Sequence, residues 1–236
     1  MLLALHPKIV RQTKSKNRGF TMVELLAALV ITGIVTASLG VGLTYLLQES
    51  QETEEETQQR AELNRALDFI TEEIRMAESI EPNSGAIDIS TDASDFGKDC
   101  NDNSDNLTCV LILDVPDVDQ RIIYYTEPTS GNWKGPRVLR RWGPDFNADG
   151  TYSNPTTPSN WSGDLLVDRI VDNTSNTSVP TCNADETLNG DEGVAGGVYT
   201  CIQNDATQAE ITLVGNLEGD SSEDYTIRGR AFARSN

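Results

Sequence analysis

Chemistry in this chain has to come from oxygen and sulfur. Of its 236 residues, 37 are Asp or Glu and 18 are Lys or Arg, a net charge of −19 at neutral pH. The single histidine, His6, lies within the first nineteen residues, so a His-based serine or cysteine triad is not available to the body of the chain. No GxxxxGKS/T loop is present to cradle phosphate. Paired carboxylates could hydrolyse glycosides, but so many acids guarantee chance pairs, and sequence does not supply their separation. The chain is not expected to be an enzyme. Nor is direct nucleic-acid binding expected, because that affinity comes largely from neutralising phosphates.

The sharpest constellation is Asp145-Phe146-Asn147-Ala148-Asp149-Gly150-Thr151. Oxygen-bearing side chains at alternate positions, followed by glycine for a sharp turn, match the first half of an EF-hand calcium loop. Asp145, Asn147 and Asp149 would supply side-chain oxygens and Thr151 a backbone carbonyl, making calcium a candidate ligand. The twelfth position is Thr156 rather than an acid, so Asp164 or another remote carboxylate would have to complete the shell. The same string also reads as an Asx turn in a polar loop.

One acid stands apart from the rest. Glu24 sits at the edge of an uncharged run, Leu25–Leu47, built mainly of Leu, Val, Ile and Ala. As a helix this run would span roughly 35 Å, enough to cross a bilayer core. An ionised carboxylate beside lipid is costly, so Glu24 calls for a partner. Lys8, Arg11, Lys14, Lys16 and Arg18 precede the run without an acid among them. A basic flank of this kind stays cytoplasmic, which puts the acidic bulk of the chain outside. All four cysteines, Cys100, Cys109, Cys182 and Cys201, fall in that outer part. In an oxidising compartment they favour two disulfides over a metal, and no CxxC spacing supports zinc. Three pairings are open; the sequence-local Cys100–Cys109 and Cys182–Cys201 are expected.

Beyond the apolar run, Leu63, Leu67, Ile70, Ile74 and Ala77 recur at steps of four and three, the mark of an amphipathic helix. That stripe should pack on a globular domain, leaving Glu62, Arg65, Glu72, Glu73 and Arg75 in solvent. Pro82 and Gly85 then stop the helix near Ile80. Strand-like runs follow at Val110–Val115, Arg121–Thr126, Arg137–Trp142, Leu165–Val171, Ala209–Val214 and Tyr225–Ala233. Residues 172–204 read as an Asn/Thr/Gly-rich insertion that the second cysteine pair could staple. One long helix followed by antiparallel strands is an α+β organisation. Trp133, Trp142 and Trp161, close in sequence, could form a glycan platform or simply pack the sheet.

Gly19-Phe20-Thr21-Met22-Val23-Glu24-Leu25-Leu26 resembles the processing site of type IV prepilins and type II secretion pseudopilins. Three later strings, Leu67–Ile80, Ile122–Thr126 and Val138–Arg141, look like the helix end and first strands of PilW-type minor pilins and J-type pseudopilins. The resemblance implies a leader, residues 1–19, cut after Gly19 by a membrane prepilin peptidase that then methylates Phe20. It implies a pilin helix over 20–81, membrane-spanning over about 22–47, and an extracytoplasmic β-rich domain over 82–236. Glu24 would attract the N-terminal amine of a neighbouring subunit during filament assembly. Several pseudopilins brace a surface loop with calcium, which bears on Asp145–Thr151. The implied partners are the prepilin peptidase, other pilins or pseudopilins, and an inner-membrane assembly platform. The subunit would sit in the inner membrane by a single pass and then in a type IV pilus-like filament or a type II secretion pseudopilus. A signal-anchored surface adhesin, with an uncleaved N-terminus, is the alternative from another class.

Overall fold

The apolar run and the amphipathic stretch after it form one helix, α1 (Met22–Met76). The computed structural model describes residues 19–82, 89–100, 106–172, 179–190, 196–217 and 224–234. The basic segment 1–18, Gly85, and residues 173–178 and 191–195 of the expected insertion lie outside the described residues. The chain divides after Ser50 into two compact units, and α1 contributes to both. In the first unit every described side chain is exposed, including the large apolar ones from Met22 to Leu47.

In the second unit α1 ends at Met76, short of the expected Ile80. The backbone beyond finds strand partners instead: Glu78 N donates to Asp114 O at 2.7 Å and Glu81 N to Ile112 O at 2.9 Å. Pairing with a neighbouring strand outweighs local helix propensity here. Ser79–Ile80 thereby becomes strand β1. After a short helix, α2 (Ile89–Asp92), the strands are β2 (Thr108–Asp114), β3 (Ile122–Pro128), β4 (Arg137–Gly143) and β5 (Ser162–Ile170). They continue with β6 (Glu186–Asn189), β7 (Val198–Gln203), β8 (Gln208–Asn216) and β9 (Asp224–Phe232). All pairings are antiparallel, in the order β1-β2-β3-β4-β5-β8-β7-β6, with β9 also on β8. The α+β organisation is therefore present: a long N-terminal helix whose C-terminal half packs on an antiparallel sheet.

Residues 172–204 are not simply an insertion. They contain β6 and β7, and Val198, Tyr199 and Ile202 of β7 are fully buried. The run VYTCI has the β-branched and aromatic content of a strand, but its glycine- and amide-rich surroundings mask that signal.

The first six residues of β2 are all buried because both faces of the sheet are covered. On one side Leu111, Leu113, Tyr124 and Leu139 meet Leu63, Ile70 and Ile74 of α1. On the other, Ile112, Ile123 and Tyr125 meet Ala93, Phe96, Cys100, Leu107 and Cys109, with Trp142 and Trp161. Two glycines let the helix approach closely. A Cβ at Gly215 would lie 2.5 Å from Leu63 Cδ1, and one at Gly229 would lie 2.9 Å from Leu67 Cδ1. Gly215 also marks the one residue pair, Ile170 with Gly215, in the strand ladder between β5 and β8, which Val171 N extends by donating to Val214 O at 3.2 Å.

Candidate processing and assembly site

Gly19 and Phe20 precede the helix in irregular, exposed chain, and Phe20 keeps 84 % of its surface open. Thr21 then caps α1. Its carbonyl accepts from Glu24 N at 3.1 Å and Leu25 N at 3.2 Å, and its Oγ1 accepts from Glu24 N at 3.3 Å. Thr21 Oγ1 also approaches Glu24 Oε2 at 3.5 Å. With Met22 as the first helical residue, Thr21 and Glu24 hold the N-cap and third helical positions of a capping box. The carboxylate thus folds back toward the positive end of the helix dipole, which stabilises it. This local role of Glu24 was readable in the Thr-x-x-Glu spacing. Among the described residues Glu24 has no cationic side chain as a partner.

A second glutamate of α1 lies in a different setting. Glu73, expected in solvent, is buried at 1 % exposure. Arg141 of β4 grips it with both ends of its guanidinium: Nε donates to Oε2 at 2.9 Å and Nη2 to Oε1 at 2.6 Å. Tyr152 OH donates to Oε1 at 2.9 Å, and Tyr124 OH donates to Oε2. Phe69 and Phe146 face the guanidinium with ring centroids 5.7 and 5.5 Å away. Burial and the Glu73 charge both push the Tyr124 and Tyr152 hydroxyls above their ordinary range. Burial alone would lower Arg141, but its hydrogen bonds to Glu73 and that residue's charge outweigh it and hold the guanidinium protonated. Every oxygen of the carboxylate is satisfied, so the cluster locks helix to sheet and has no reactive valence left. A signal for it existed. Glu73 stands three residues after Ile70 and four before Ala77, which puts it on the apolar stripe. Alternation along β4 likewise puts Arg141 on the face of Leu139.

The cysteines are joined as Cys100–Cys109 and Cys182–Cys201, with Cα separations of 5.2 and 5.5 Å. The first bridge lies in the core under Phe96 and Trp142; the second ties β7 to the segment before β6. Glu186 comes near the second, but disulfide sulfurs are not thiolate ligands.

The Asp145–Thr151 stretch is closed by its own hydrogen bonds. Asp149 Oδ1 accepts from Thr151 N at 3.1 Å and Thr151 Oγ1 at 2.7 Å, which lowers the Asp149 carboxyl below its usual range. Asn147 Nδ2 donates to Thr151 Oγ1 at 3.0 Å, and the Thr151 carbonyl accepts from Asn147 N at 2.7 Å. A bridge between Phe146 and Tyr152 completes a hairpin turn. Among the described residues no third carboxylate joins Asp145 and Asp149 to make a shell. Asp164 instead accepts from Ser162 Oγ at 2.8 Å.

The three tryptophans do not form one platform. Trp142 and Trp161 pack edge to face at 4.9 Å in the core, while Trp133 is half-exposed elsewhere.

A family model, the prokaryotic N-terminal methylation motif, matches residues 14–40. No curated protein and no solved structure matches the chain. The matched stretch holds Gly19, Phe20, the Thr21–Glu24 cap and the first half of the apolar helix. It supports a type IV pilin- or pseudopilin-like protein of structural rather than enzymatic kind. The motif implies processing by prepilin peptidase and assembly with other pilins. Together with α1, the one helix among the described residues long and apolar enough to cross a membrane, it supports membrane anchoring.

Proposed function

We propose that this chain is a minor pilin or pseudopilin, of PilW-like or J-type character, that is cut after Gly19 and built into a filament through the apolar half of α1. The observation that carries the reading is the coincidence of three features in residues 19–47: an exposed Gly-Phe bond, a capped helix start bearing Glu24, and an uncovered apolar surface. Cutting there would leave an ammonium on Phe20, directly before the N-cap. A cation at that place faces the positive end of the helix dipole and is disfavoured alone. Glu24 lies in the first turn, where a neighbouring subunit's amine can meet it once lipid is left behind. Each charge is costly in an apolar setting, and the pair is tolerable. The subunit begins as a single-pass protein of the inner membrane, with the acidic domain on the periplasmic or extracellular side. Afterwards it resides in a type IV pilus-like filament or a type II secretion pseudopilus.

Mass spectrometry of the mature N-terminus tests the reading. The expected species begins with N-methylated Phe20, and Gly19→Trp leaves a full-length precursor in the membrane. An intact N-terminus that still carries Lys8 to Arg18 would point to a signal-anchored surface protein instead.

A further inference from the structure

A groove of about 560 Å³ runs between α1, strand β5 and the loop before β4, and it shares no lining residue with the processing site or the Glu73 cluster. Its volume is within the roughly 300–1,000 Å³ usual for small-ligand clefts. Trp133 stands in it, 49 % exposed, whereas Trp142 is 3 % exposed in the core. The loop that presents Trp133 is tied to β5 just after the ring and closed on itself at its base. Lys134 N donates to Asp168 Oδ2 at 2.9 Å, Arg169 N donates to Lys134 O at 3.1 Å, and Thr129 N donates to Pro136 O at 3.0 Å. The half-exposed indole offers a flat apolar face beside a backbone anchored to β5.

The walls are unusual for so acidic a chain. Three acids, Glu55, Glu62 and Asp168, are matched by three bases, Arg65, Lys134 and Arg169. Glu55 Oε2 sits 3.4 Å from Lys134 Nζ and 3.6 Å from Arg169 Nη2, and Gln59 Nε2 reaches Asp168 O at 3.1 Å. Arg169 itself is held with φ +52°, a left-handed conformation uncommon for a residue with a side chain, and its side chain is only 11 % exposed. A balanced wall gives no net pull on an anion or a cation. What it offers is a dense set of planar donors and acceptors beside an aromatic face, the combination that hydroxyl-rich rings require.

We propose that this groove binds a neutral oligosaccharide, with one sugar ring stacked on Trp133 and its hydroxyls bonded by Glu55, Asp168 and Arg169. The test uses the full chain in a detergent without a sugar headgroup, titrated with maltohexaose, cellohexaose, chitohexaose and, as an anionic control, oligogalacturonate, followed by tryptophan emission and ligand-observed NMR. At least one neutral hexaose is expected to bind and shift the emission. Trp133→Ala should weaken that binding by about tenfold or more while the thermal melt stays in place, and Trp133→Phe should restore most of it. The proposal is overturned if none of the neutral hexaoses binds at millimolar concentration, if Trp133→Ala binds as well as the parent, or if only the anionic sugar binds. It is equally overturned if Trp133→Ala loses filament incorporation while the parent shows no sugar binding, which would assign the groove to a neighbouring subunit.

Discussion

Glu24 and Glu73 are carboxylates of the same helix, and each lies among apolar residues, yet the chain treats them in opposite ways. Glu73 receives a bidentate guanidinium and two phenol hydroxyls from β3, β4 and the segment after β4, all from its own chain. Among the described residues, Glu24 receives only the capping contacts of Thr21. A buried charge with a full set of internal partners stabilises one arrangement of one chain. A charge left open at the edge of an apolar surface is usable by another chain. On the proposed reading, the two glutamates differ in where the partner comes from: the same chain for Glu73 and a neighbouring subunit for Glu24.

The most severe way to break this contrast is at Glu73. Glu73→Ala leaves Arg141 buried without its counter-charge and should cost about 3–5 kcal/mol in urea unfolding of the full chain. A loss under about 1 kcal/mol would mean that the cluster does not hold helix to sheet. Next comes the covalent counterpart of that lock. Cys182→Ser with Cys201→Ser opens a loop of sequence separation 19 and should cost about 3 kcal/mol. An unchanged melt would show that β7 needs no staple.

A smaller effect is expected from pH. Tyr124 and Tyr152 have raised hydroxyl pKa values because burial and the Glu73 charge oppose ionisation. The folded state therefore keeps protons that the unfolded chain gives up. Their contribution is complete below about pH 10, the ordinary tyrosine value, and falls as pH rises above it. Tyr124→Phe should cost about 1 kcal/mol near neutrality and make the alkaline decline shallower. Urea midpoints between pH 8 and 11 check both. The smallest effect on the domain is expected at Glu24: Glu24→Ala should leave the urea midpoint where it was, while incorporation into filaments measured by shearing and immunoblotting is lost. Normal incorporation would erase the distinction between the two glutamates.

Much of this architecture was legible from the chain. The steps of four and three from Leu63 to Ala77 define the buried face of α1, and six of the strand runs lie where alternation and β-branched content put them. The start of α1 is written in Thr21 and Glu24. What was not legible depends on neighbours distant in sequence. Glu73 reads as a surface acid because charge outranks position in a pattern, although its position is on the core stripe and its partners are 51 to 79 residues away. Strand β7 was hidden because glycine and asparagine around it signal loop, while its actual partners, β6 and β8, were needed to define it. The groove beside Trp133 was invisible for the same reason: α1, β5 and the Trp133 loop meet only in three dimensions.

The meeting of β5 and β8 at Ile170 and Gly215 has a mechanical corollary. The sheet is two ribbons, β1 to β5 and β6 to β9, joined by a strand ladder only one residue pair long. The helix helps to bridge them, touching Asp168 on one ribbon through Gln59 and Gly215 and Gly229 on the other through Leu63 and Leu67. Direct bonds add to it: Val171 N donates to Val214 O, Ile80 N to Ala206 O, and Thr200 Oγ1 to Val110 O. Under load the short ladder between the ribbons is expected to part before the long ladders within them. Filling in either glycine would push Leu63 or Leu67 back and loosen that joint.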